Sequence, residues 1–126
     1  MMQDKKRKYD LEDRMVEFSI KIIDIVEKLP NTKAGNHLAG QLIRSGTSPT
    51  FNYGEAESAE SINDFIHKMS ICLKELRETR LCLIIIKRKP LIEDIPLVDI
   101  TLKENQELIS IFGKSINTAE KNKKKK

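Results

Sequence analysis

The side chains with chemical potential in this chain of 126 residues are few. Asp64 and His67 stand three positions apart, which on a helix puts both on one face. An acid-x-x-His unit of this kind binds iron or manganese inside four-helix bundles, but such sites need a second unit and further carboxylates. The other histidine, His37, has Lys33 and Ala34 four and three residues behind it and supplies neither. His67 therefore reads as a surface or cap-side residue, and no metal is expected. Cys72 and Cys82 are ten residues apart. On one helix that places them roughly 15 Å apart along the axis, too far to pair. They belong to no CxxC or Cys/His cluster, so they read as buried free thiols of a cytoplasmic protein. There is no phosphate-binding Gly-rich loop with its lysine, no GxSxG, and no cysteine with well-spaced histidine partners. The chain is read as non-enzymatic, with no cofactor.

Charge is placed more tellingly than its total. The sequence carries 23 basic and 19 acidic residues, a net charge of +4. Nine of the basic residues sit at the ends: Lys5, Lys6, Arg7 and Lys8, then Lys121, Lys123, Lys124, Lys125 and Lys126. Without them and Asp4, residues 9–120 hold 14 basic against 18 acidic residues, so an acidic body separates basic ends. Lysine-rich ends act either as solubilising tails or as electrostatic contacts to RNA or DNA, where each neutralised phosphate releases counterions. Aromatic residues that could stack on bases are scarce. Phe51 and Tyr53 form the only close pair, and packing at a helix bend is the expected use for them.

A further group, Arg44, Asn52, Glu55, Lys74, Glu75 and Glu78, places polar residues on helices otherwise occupied with packing. If the second and third helices lie side by side, these form a polar network. Lys74 and Glu78 also have the i,i+4 spacing of a helical ion pair, worth tenths of a kcal/mol when exposed, on the order of 0.3–0.5.

The elements that must position these groups are helices. Apolar residues recur at Leu11, Met15, Phe18, Ile22, Ile25, Val26 and Leu29, one face of a first helix. Val16, Ile20 and Ile23 add a second stripe, more apolar width than one neighbour uses. Pro30 ends this helix, and Asn31 or Thr32 can cap the next, which begins near Lys33. That second helix meets Gly46 and Pro49. Pro49 has no amide to give the Ser45 carbonyl, so a kink near Pro49 is favoured over a full break at Gly46, with the helix ending near Ser58. Ser61 three residues before Asp64 resembles a capping box and starts helix three, which ends in Lys87, Arg88 and Lys89 before Pro90. Pro96 fits the first turn of helix four. Its apolar set is Leu97, Ile100, Leu108, Ile111, Phe112 and Ile116, and beyond Ala119 the chain is expected to fray.

The longest apolar run, Leu81 to Ile86, falls far below the roughly 20 residues a membrane span needs. The basic start leads into YDLEDRM, with no apolar core of a secretory signal. The expected architecture is all-α: an antiparallel up-and-down four-helix bundle over residues 10–119, a basic N-terminal tail at 1–9, and a Lys-rich C-terminal tail at 120–126.

The stretch QLIRSGTSPTFNYGEAESAESINDFIHKMSICLKELRET, residues 41–79, resembles the central signature of the bacterial four-helix-bundle family named for proteins encoded in intervening sequences of 23S ribosomal RNA genes. The similarity lies in QL-x-RSGTS with Asn52 and Glu55-Ala56, in AES with Asp64-Phe65 and Lys68, and in Leu73-Lys-Glu with Glu78-Thr79. Helix lengths and order extend it over roughly residues 11–118. The resemblance implies a four-helix bundle assembled as a ring-shaped homopentamer, with a suspected nucleic-acid role and no catalytic residues to carry over. Related bundle proteins that accompany retroelement reverse transcriptases bind nucleic acid through a basic surface. This chain departs from them in its acidic body. The combined expectation is a non-catalytic oligomer meeting RNA or DNA through its basic ends, with a protein-interaction scaffold as the alternative.

Overall fold

The structure, a computed structural model, describes residues 2–125, with side chains described from Leu11 to Lys125. Among them are four α-helices and no strand: α1 Met2–Lys28, α2 Lys33–Glu57, α3 Ile62–Arg88 and α4 Ile95–Lys124. No helix is long and apolar enough to cross a membrane.

The caps follow from local chemistry. Thr32, in extended backbone, accepts from the Gly35 amide and starts α2. Ser61 does the same for Asp64, with the Asp64 carboxylate in the first turn of α3. Asp94 caps α4 through the Leu97 amide, and Pro96 occupies the first turn. Side-chain acceptors thus satisfy amides that have no partner inside the helix. A β-carbon on Gly35 would stand 2.0 Å from the Pro30 carbonyl oxygen, so only glycine lets the turn close this tightly onto α2.

Helix α2 runs unbroken through Gly46 with Pro49 in its interior and ends at Glu57, next to the expected end near Ser58. Two other boundaries differ from the periodicity. Helix α1 begins at Met2, and α4 continues through Glu120 to Lys124. The segments expected as tails at 1–9 and 120–126 are thus largely helical. Lys and Glu are good helix formers, and cations in a last turn meet the negative end of the helix dipole. The side chains of Lys5, Lys6, Arg7 and Lys8, and residue Lys126, lie outside those described.

Helix α2 packs on α1 and α3, and α4 packs on α3 and more sparsely on α1; among the described residues the α1 and α3 backbones do not approach each other, and α2 meets α4 across the core through the rings of Tyr53 and Phe112. The helices therefore stand at four corners in chain order. Cross-helix pairs rise along one helix and fall along its neighbour: Ser45 with Thr79, Asn52 with Glu75, Glu55 with Lys68. The same holds for Leu76 with Asn105 and Lys87 with Asp99, as in consecutive helices folding back on each other. Phe18, Ile22, Leu42, Leu76, Leu83, Leu108 and Phe112 are buried between the corners. Each such side chain stabilises the fold by roughly 1.5–3 kcal/mol.

Candidate functional site

The seam between α2 and α3 collects most of the polar residues singled out above. Ser45 and Thr79 are fully buried, with hydroxyls 3.1 Å apart. The Thr79 hydroxyl is shared between two acceptors, the Glu75 carbonyl at 2.9 Å and Ser45 Oγ at 3.1 Å. Asn52 Nδ2 reaches the Ser48 carbonyl and hydroxyl at 3.2 and 3.1 Å and Glu75 Oε1 at 3.4 Å. Arg44 approaches Glu75 at 3.6 Å and Glu78 at 3.7 Å. Its side chain is 57% exposed, so these long pairs add little stability. Glu55 pairs with Lys68 at 2.6 Å, and this carboxylate raises the Lys68 ammonium above its ordinary range.

Lys74 stands apart. It is exposed, and the acid four residues on, Glu78, turns to Arg44 across the seam. The i,i+4 pair expected between Lys74 and Glu78 is not formed, because Arg44 offers Glu78 a partner from α2. Phe51 and Tyr53 also part company. Tyr53 is buried, its ring edge-to-face with Phe112 at 5.8 Å, and burial followed by nearby Glu57 pushes its phenol up to about 12. Phe51 is 72% exposed, so the expected packing holds for one ring only. Thr47, close to the proline, bonds the Ile43 carbonyl.

His67 is exposed on α3, and among the described residues no group of three His, Cys, Asp or Glu side chains could hold a metal. Cys72 and Cys82 are free and buried. The Cys72 thiol donates to the Pro49 carbonyl at 3.4 Å, and burial pushes it up to about 12; burial also raises Cys82. A thiol held protonated is a weak nucleophile and a poor metal ligand.

The basic C-terminal residues occupy the last turns of α4. Lys121, Lys123, Lys124 and Lys125 are all exposed. Lys114, which composition alone does not single out, lies on the same helix, and spacings of seven and four place Lys114, Lys121 and Lys125 on one helical face. At this end of the bundle Ile62 and Phe65 of α3 share a shallow groove with Ser115, Thr118, Ala119 and Asn122 of α4. The start of α3 therefore stands beside the end of α4, together with the end of α2 through the Glu55–Lys68 pair. Arg14 joins α1 to the middle of α4, making two bonds to Glu104 at 2.8 and 2.9 Å and one to Glu107 at 3.0 Å. The hydrogen bonds to Glu104 raise the guanidinium further above its ordinary range.

The profile of the 23S rRNA-intervening sequence protein family matches residues 7–114. The chain belongs to that family. A crystal structure of a protein of unknown function from the S23 ribosomal protein family of Bacteroides thetaiotaomicron superposes with a TM-score of 0.76 and 31% sequence identity. The alignment covers 83% of this chain and 96% of that one. No curated protein matches. The 23S rRNA-intervening sequence protein profile contains the whole α2–α3 seam but ends at Lys114, so the lysines beyond it lie outside the region shared with the family.

Three features of this family member are not visible from residue types and spacing alone: the Arg14–Glu104 pair, the fully buried Asn105, whose Nδ2 donates to the Leu76 carbonyl at 3.0 Å, and exposed apolar residues on α3. Asn105 carries a usable signal, since Thr101, Asn105, Leu108 and Phe112 share the inward helical spacing.

Proposed function

We propose that this family member is a non-catalytic, self-associating helical scaffold that holds nucleic acid by the lysine-rich end of α4. The single observation carrying this reading is the row Lys114, Lys121 and Lys125 on one face of a continuing helix, joined by the exposed Lys123 and Lys124. A helix presents these cations at fixed spacing to a phosphate backbone, at lower ordering cost than a free tail. Phosphate contacts position without reading sequence, so weak sequence preference goes with this surface. The scarcity of exposed aromatic rings argues for contact with the backbone over stacking on bases.

The test is fluorescence anisotropy with labelled duplex RNA, duplex DNA and single-stranded oligomers, comparing the full chain with one lacking Lys121 to Lys126. Loss of most affinity on truncation supports the reading; equal affinity for both chains removes it.

A second reading, a protein-interaction scaffold whose lysines only maintain solubility, draws on the exposed Val16, Ile20, Ile23, Phe51, Leu81, Ile85 and Ile100. Under that reading a partner is retained on the protein after nuclease treatment, and no oligonucleotide binds at physiological salt.

A further inference from the structure

The outer face of α4 carries an order that reaches well beyond its lysine-rich end. Lys103, Gln106, Ser110, Lys114, Asn117 and Lys121 are all exposed and follow at steps of three, four, four, three and four. Such steps keep them on one stripe of the helix, about 27 Å long. Cations thus stand among uncharged side chains that both donate and accept hydrogen bonds, and the stripe carries no aromatic ring. Acids of the same helix are held by other cations: Glu104 and Glu107 by Arg14, at 2.8 and 3.0 Å, and Asp99 by Lys87 at 2.7 Å. Gly113 stands seven residues after Gln106 and four before Asn117, on the edge of this stripe. A β-carbon there would meet nothing within 4 Å, so packing within the chain does not call for glycine, a residue that weakens a helix interior. Its effect is to keep the helix surface low beside the two amides.

We propose that this stripe lies across the minor groove of duplex RNA, with Lys103, Lys114 and Lys121 on phosphates and Gln106, Ser110 and Asn117 on ribose 2′-hydroxyls. This rests on the nucleic-acid reading above and names which nucleic acid the helix takes. The minor groove of A-form RNA is wide and shallow and displays the 2′-hydroxyls, whereas its major groove is too deep and narrow for side chains to read. A 2′-hydroxyl donates and accepts, so an amide or a serine hydroxyl can bond to it in either sense. Contacts of this kind carry no base sequence, in keeping with the weak sequence preference argued above. Duplex DNA would meet the same lysines but leave the three uncharged side chains without their partners. A single strand would find no ring on which to stack its bases. Gly113 lets the ribose edge come close beside Gln106 and Asn117. From Lys103 to Lys114 the stripe lies inside the region shared with the family, unlike the lysines that follow.

Fluorescence anisotropy on the full chain tests this with one duplex sequence made as RNA and as DNA, and with its single strands. The RNA duplex is expected to bind tightest, ahead of the DNA duplex by roughly tenfold or more, as three added hydrogen bonds would give. The chain carrying Gln106→Ala, Ser110→Ala and Asn117→Ala is expected to bring the RNA affinity down to that for DNA. Lys103→Ala, far from the lysine-rich end, is expected to flatten the salt dependence by about 0.7–0.9. Gly113→Leu is expected to raise the midpoint of urea unfolding and yet weaken RNA binding, which separates loss of contact from loss of fold. Circular dichroism confirms the helicity of each variant. DNA bound as tightly as RNA, or a triple variant that keeps the RNA preference, overturns the proposal and leaves nucleic-acid binding standing. So does an RNA affinity untouched by both Lys103→Ala and Gly113→Leu. A full chain that binds none of the oligonucleotides overturns both readings.

Discussion

Gly46 of α2 lies so close to Ile22 of α1 that a β-carbon at position 46 would stand 2.7 Å from Ile22 Cγ2 and 2.8 Å from Cγ1. Both atoms hang directly on the isoleucine β-carbon, so they move only if the side chain or the helix moves. The close approach of α1 and α2 at this point thus depends on a residue without a side chain, in the middle of a helix where glycine is otherwise unfavourable.

Gly46→Ala is therefore expected to destabilise the fold by about 1–3 kcal/mol, the usual cost of overpacking, despite alanine's better helix propensity. Gly40 and Gly54 of the same helix meet nothing within 4 Å. Gly40→Ala and Gly54→Ala are expected to stabilise by about 0.5–1 kcal/mol. Urea unfolding of the three variants gives opposite signs if the packing is as described.

Arg14 ties α1 to α4, the most sparsely packed of the neighbouring helix pairs, and its side chain is 28% exposed against 22% for Glu104. A two-toothed pair of this kind is stronger than a mobile surface ion pair. Arg14→Ala should cost about 1–2 kcal/mol, and a double-mutant cycle with Glu104→Gln should return a coupling of about 0.5–1 kcal/mol. Additivity of the two substitutions would show that the pair contributes nothing.

The Cys72 thiol, pushed up to about 12 by burial, is protonated in the folded chain at any ordinary pH. The unfolded chain loses that proton near pH 9. The stability that comes from burying the neutral thiol is thus fully present below about pH 9 and is lost as pH rises toward 12. At roughly pH 8, below the ordinary thiol range, both cysteines should resist Ellman's reagent in the native state and react within seconds in guanidinium. Fast native-state labelling of Cys72 would contradict its burial.

Phe51 offers a check on the exposed surface. At 72% exposure its ring contributes little to the core, so Phe51→Ser should change stability by less than about 0.5 kcal/mol. Tyr53→Ser removes a buried ring packed on Phe112 and should cost about 3 kcal/mol or more. Equal effects in thermal unfolding would mean that Phe51 is covered, as by a second copy.

How much of this is legible in the sequence depends on the range of the interaction. Ser61 before Asp64, Pro96 in a first turn and the spacing of Met15, Phe18, Ile22 and Ile25 are local signals, and the helices begin and pack where those signals put them. The partner of Glu78 is not legible. Lys74 is near it in sequence, but Arg44 is brought to it from α2, and linear spacing carries no record of that approach. Phe51 and Tyr53 differ by two positions, about 200° around a helix, so one faces Phe112 and the other solvent. The end of α4 departs from expectation because a lysine run without an apolar face suggests fraying, while the helix continues on propensity and dipole from a well-packed body. The row Lys114, Lys121 and Lys125 becomes visible only once that helix is known to continue.

The most direct test of the central claim, nucleic-acid binding by the end of α4, is the salt dependence of oligonucleotide affinity. The logarithm of the affinity should fall linearly with the logarithm of salt concentration. Removing Lys121 to Lys126 should flatten that slope by about 0.7–0.9 for each phosphate that the chain no longer neutralises. A truncated chain that keeps the wild-type slope and affinity, or a full chain that binds no oligonucleotide at physiological salt, would contradict it.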